Sequence, residues 1–106
     1  MEWTVSLTKR AEEDLAEIVR YVARDNPAAA EALGRGILFR VESLSRQPAM
    51  GIVVRNWKNI RALLHRKYYI VYHYDEPATE IKVLRFWHSA RDLGVLRIAE
   101  PGDPAW

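Results

Sequence analysis

His88-Ser89-Ala90-Arg91-Asp92 puts a histidine, an arginine and an aspartate close together at the end of a strand-like run. Such a group can carry chemistry. A histidine beside a carboxylate is tuned for proton transfer near neutral pH, and an arginine stabilises phosphate charge. The same residues also suit a structural network in which Arg91 and Asp92 fix the chain's exit from a sheet, and composition favours that use. Upstream, His65, Arg66 and Lys67 are consecutive, and Arg61, Lys82 and Arg85 flank them at strand spacing. With Lys58 they make a candidate phosphate-binding surface, a dock for an acidic partner, or a solvated face. Tyr68, Tyr69, Tyr72 and Tyr74 can stack bases, although at least half of them are expected to pack in the sheet. His73, among these tyrosines, reads as a core or edge histidine. Three histidines without clustered carboxylates give no expectation of a metal site. Neither a Ser/His/Asp motif nor a glycine-rich phosphate loop is present, and no cofactor is expected.

Charge supports a binding role more than composition does. The net charge is only +2, too mild to imply a nucleic-acid partner by itself. Residues 55–91, however, hold eight basic and three acidic residues, a net of +5, and all three histidines. Residues 1–47 hold seven basic and eight acidic residues, a net of −1.

The cationic half is the half that reads as sheet. Tyr68 to Tyr74 and Glu80 to Trp87 are rich in β-branched and aromatic residues, and Asp75 to Thr79 between them is turn chemistry. Neither run alternates cleanly, so both faces are covered at least in part and the hairpin belongs mid-sheet. Ile60 to Arg66 is a further strand, and Glu2 to Leu7 alternates as a half-buried one. The stretch from Ala49 to Asn59 reads as irregular or weakly extended.

Two helices must cover this sheet. Thr8 is placed to cap a helix over about residues 9–24, with Ala11, Leu15, Ile18, Val19 and Val22 as its apolar stripe. Glu12, Glu13 and Asp14 suit the positive end of its dipole. Asn26-Pro27 begins a second helix with Ala30, Leu33, Ile37, Val41 and Leu44 on its buried side, ending by Gln47-Pro48. Gly34 lies beside that stripe, as either a close-packing site or a tolerated weak turn. Helices bunched together and strands bunched together predict an α+β fold. That fold is an N-terminal strand and an antiparallel helix hairpin on a mainly antiparallel sheet of about four strands. Its far side is expected to present positive charge.

The 106 residues suffice for one domain, expected over residues 1–95, with a C-terminal tail over 96–106. The absence of cysteine, of a signal-peptide pattern and of a long apolar run predicts a cytoplasmic protein without a membrane segment.

The element order, the Tyr-Ile-Val-Tyr strand at Tyr69 to Tyr72 and the Val-Leu-Arg-x-x-His-x-x-Arg-Asp ending at Val83 to Asp92 resemble the RelE/ParE toxin superfamily of type II toxin–antitoxin systems. The resemblance covers about residues 3–95. It implies a small toxin held inactive in a hetero-oligomer with a cognate antitoxin. RelE-like members cut messenger RNA on the ribosome without a metal, using Lys, Arg and a C-terminal Tyr; ParE-like members inhibit DNA gyrase. Tyr69 stands where many RelE-like members carry an Arg, and Leu93 stands where their Tyr would be. The ending is more like the ParE, or plasmid-stabilisation, branch. The expectation is therefore a gyrase inhibitor rather than an enzyme, contacting target or antitoxin through Arg61, Arg66, Lys82, Arg85, His88 and Arg91. The alternatives are a metal-independent endoribonuclease acting on mRNA in the ribosome through His65, Lys67, Arg85 and His88, or a non-toxic binding module of the same shape. Joint charge reversal at Arg61 and Arg85 is expected to weaken the antitoxin complex.

Overall fold

A computed structural model describes residues 2–54 and 58–98. The elements are β1 (Thr4–Leu7), α1 (Lys9–Ala23), α2 (Pro27–Ser43), β2 (Ile52–Val53), β3 (Ile60–His65), β4 (Tyr68–Asp75) and β5 (Glu80–His88). A single 3-10 turn, Leu93–Val95, follows. The strands form one sheet in the order β1-β5-β4-β3-β2. β1 runs parallel to β5 and every other pair is antiparallel. The fold is α+β, as expected, with the β4–β5 hairpin inside the sheet and five strands rather than about four.

The additional strand is β2, two residues in the stretch expected to be irregular. Side chains rather than an alternating pattern hold it. The Tyr72 hydroxyl, fully buried, donates to the Pro48 carbonyl at 2.7 Å and accepts from the Gly51 amide at 3.0 Å. Arg61 Nη1 donates to the Gly51 carbonyl at 2.8 Å. Gly51 is required for this approach, since a Cβ there would lie 2.9 Å from the backbone C and O of Ala62.

Both helices begin where their caps are. Thr8 Oγ1 accepts from the Ala11 amide and also donates to the Leu84 carbonyl, so one hydroxyl starts α1 and docks it on β5. Asn26 accepts from the Ala29 amide, with Pro27 first in α2. The helices pack closely at Gly34, where a Cβ would meet Val19 Cγ2 at 3.3 Å, which favours the packing explanation for that glycine.

The hairpin is apolar on both faces because two clusters flank it. Ile37 and Val41 of α2, with Leu44 at its C-cap, pack with Leu63, Ile70, Tyr72, Ile81, Val83 and Phe86 beneath the helices. On the far side, Ile60, Ala62, Val71, Leu84 and Trp87 are covered by Val54, Leu93, Leu96 and Ile98. This corrects the expectation that the far face carries exposed positive charge: residues beyond β5 seal it, and Leu96 is 1% exposed. A β-bulge reconciles the broken alternation of β5. Val71 pairs with Arg85 and Tyr72 with Val83, so Leu84 is an extra residue, and both Val83 and Phe86 reach the helix side. The loose run expected at Glu100 to Pro104 lies outside the described residues.

Candidate functional site

One face of α1 is left partly open beside the sheet and walls a long cleft. A groove of about 900 Å³ lies between its C-terminal half (Glu17, Ile18, Tyr21, Val22) and the β3–β4 turn with the end of β5 (Arg66, Lys67, Tyr68, His88, Arg91). A gap of about 150 Å³ over Asp14 and Arg85 joins it to a trough of about 560 Å³ by Lys9, Arg10, Glu13, Trp87 and Arg97. Arg91 lines all three hollows. From Lys9 to Val22 the helical wall runs about 20 Å, at 1.5 Å per residue.

The sheet ends supply the opposite wall by register. β4 and β5 align Tyr68 with His88, whose rings meet edge to face at 5.1 Å. The tight turn between β3 and β4, with Arg66 at φ 56°, sets Arg66 and Lys67 beside them, both exposed. Burial raises the Tyr68 phenol above its ordinary pKa of 10.0, with Tyr21 adding to the effect, so it stays a neutral donor. His88 Nδ1 accepts from the Ala90 amide at 3.0 Å. An amide can only donate, so Nδ1 carries no proton and neutral His88 presents an Nε2–H donor. With Nε2 already carrying the proton, Nδ1 is the only nitrogen left to act as a general base, and protonating it would break the Ala90 bond.

The sequence candidates thus divide. Arg66, Lys67, His88 and Arg91 come together in the groove. Arg91 and Asp92 do not pair. The Arg91 guanidinium lies 3.8 Å over the Trp87 ring, the Trp87 indole donates to the Arg91 carbonyl, and Asp92 caps the 3-10 turn at the Gly94 amide. Arg85 reaches the cleft floor but is 7% exposed. Its Nε and Nη2 donate to the Asp14 carboxylate at 2.6 and 3.2 Å, and its Nη1 donates to the Arg97 carbonyl. Its charge is spent inside the fold. Arg61 is committed to Gly51 and lies 5.5 Å from the Tyr74 ring centre. Lys82 pairs with His73 five residues down β4 from Tyr68, about 17 Å away at strand rise. His65 is turned toward α2: its Nε2 is buried without a hydrogen-bond partner, 3.1 Å from where a Gly36 Cβ would stand.

Asp14 was missed as a site residue. It accepts from Arg10, from Arg85 twice and from the Phe86 amide on the open edge of β5, beyond the reach of β1. The signal was present: Asp14 falls on the same helical face as Ala11, Leu15 and Ile18, where an acid must find a partner. Among the described residues no group of three or more His, Asp or Glu is gathered as a metal site.

Residues 5–93 match the family described as the ParE toxin of the type II toxin–antitoxin system parDE. The chain belongs to the ParE toxin family. Two solved complexes contain similarly folded chains. One is the chromosomal ParDE toxin–antitoxin system of P. aeruginosa, with TM-score 0.69 and 23% identity over 82% of this toxin and 96% of that chain. The other is the RelBE2 toxin–antitoxin complex of Mycobacterium tuberculosis, with TM-score 0.61 and 24% identity over 83% of this toxin and 99% of that chain. No curated protein matches the sequence. At these identities the two neighbours speak for the toxin's fold.

Proposed function

We propose that the toxin acts by binding, as an inhibitor of DNA gyrase, and that a cognate antitoxin neutralises it by filling the groove. The Ala90 bond to His88 carries this reading. His88 Nδ1 is held by the Ala90 amide, Tyr68 is held protonated, and Leu93 stands where RelE-like toxins place a tyrosine. Arg66, Lys67 and Arg91 offer positive charge without a proton-transfer partner, which suits recognition better than strand cleavage. The antitoxin segment is amphipathic, with its apolar side on Ile18, Val22 and Leu33 and its acids on Arg66 and Lys67. Arg85 and Arg61 are the wrong pair for charge reversal, because both are engaged internally.

The rival is an endoribonuclease that clamps mRNA with the same cations. Two assays on the purified toxin separate them. Gyrase supercoiling is expected to stop, while primer extension on translated mRNA shows no ribosomal A-site cuts. Normal supercoiling with toxin in excess, together with A-site cuts, would reverse the assignment.

A further inference from the structure

The trough at the N-terminal end of the cleft has a chemistry of its own. The cleft as a whole is lined by seven basic residues and three acidic ones, a net of +4, in a chain whose total is +2. At the trough, Lys9, Arg10, Arg91 and Arg97 surround a single exposed acid, Glu13. Lys9, Arg91 and Arg97 have no carboxylate partner among the described residues. Lys9 and Arg10 open α1, where the helix dipole disfavours cations most; Arg10 is offset by its bond to Asp14, and Lys9 has no such partner among the described residues. Arg91 is pre-set. Its Cζ lies 3.8 Å over the Trp87 ring, which holds the guanidinium in place, and its side-chain N–H donors make no hydrogen bond among the described residues, leaving a fork that fits a phosphate. The Arg85 bond to the Arg97 carbonyl fixes the backbone that carries the fourth cation.

We propose that this trough is a site for the phosphodiester backbone of a nucleic acid. Phosphate chemistry fits better than an acidic peptide because four cations face one exposed acid there, and of the trough's apolar residues, Trp87, Val95 and Ile98, the ring is already covered by Arg91. The proposal goes beyond gyrase inhibition and does not depend on it.

The test is binding of the full chain to a short labelled DNA duplex and, separately, to an RNA hairpin of equal length, by fluorescence anisotropy across a salt series. With four cations engaged, log K against log salt should fall with a slope of about −3 to −4. The double variant Lys9→Glu/Arg97→Glu should weaken binding roughly tenfold or more and flatten the slope by about two. Lys58→Glu and Lys82→Glu, outside the trough, should leave the slope unchanged, with unaltered thermal melting confirming that every variant folds. The DNA and RNA arms decide which nucleic acid is preferred. Lack of binding to either at low salt overturns the proposal. So does an equal loss in Lys58→Glu, or a poly-glutamate peptide that binds as tightly as DNA. A toxin that blocks gyrase yet binds neither nucleic acid overturns this proposal alone, and one that binds DNA without blocking gyrase overturns the other.

Discussion

Asp14 and Arg85 are 71 residues apart in sequence and share two hydrogen bonds in the floor of the cleft. The carboxylate also closes the Phe86 amide, so removing it strands a buried guanidinium and a buried N–H together. Asp14→Ala is expected to cost about 3–5 kcal/mol in urea unfolding, while the double change Asp14→Leu/Arg85→Met recovers much of the loss. Arg91→Ala, by contrast, removes an exposed stack worth about 0.5–1 kcal/mol, and its larger effect should appear in toxicity on induction. Arg91 both stacks on Trp87 and lines the cleft, so comparing melting with toxicity in this variant separates a structural role from a contact role. His65 adds a pH dependence. Burial first, then Arg66 and Arg40, lower its pKa below 6.5, so the unfolded chain binds the proton more readily than the folded one. The neutral ring's contribution is complete above pH 6.5 and is lost as pH falls toward the lowered value. Melting temperature should therefore decline through that window, and His65→Gln should flatten the decline. Residue types announced the cations, but not which of them the fold consumes. Arg85 and Arg66 look alike in sequence, and only the Asp14 carboxylate separates them.

The elements were more legible than the residues. Both helices follow from a repeating apolar stripe and a capping side chain, and both caps form the predicted bonds. β4 and β5 follow from β-branched and aromatic density. β2 did not, because two residues carry no period and its support comes from Tyr72 and Arg61, ten to twenty-four residues away. That dependence is testable. Tyr72→Phe leaves the Pro48 carbonyl and the Gly51 amide without their partner and should cost about 1–3 kcal/mol. Gly51→Ala forces a Cβ into the Ala62 backbone and should cost a similar amount, about 1–3 kcal/mol, by overpacking. The bulge at Leu84 was hidden for a related reason: a one-residue change of phase looks the same as a strand buried on both sides.

At the scale of the whole molecule, the helices take one face of the sheet and the residues after β5 take the other. Of the sheet's cations, Arg66, Lys67 and Arg85 gather against α1, while Arg61 and Lys82 lie away from it. The sequence placed positive charge in the correct half of the chain but on the wrong surface, since nothing local reveals that Leu96 returns to cover Trp87 and Leu84. One consequence concerns the antitoxin. Arg66→Glu/Lys67→Glu should weaken the complex in a salt-dependent way, whereas reversal at Lys82 should not. Another concerns the target, because a toxin that works by binding must lose its effect when the groove is altered and the fold is kept. The decisive measurement is gyrase supercoiling titrated with wild-type toxin and with Arg66→Glu/Lys67→Glu of equal thermal stability. Inhibition by the wild type and its loss in the variant is the predicted result; full supercoiling at excess wild-type toxin, or undiminished inhibition by the variant, would contradict it.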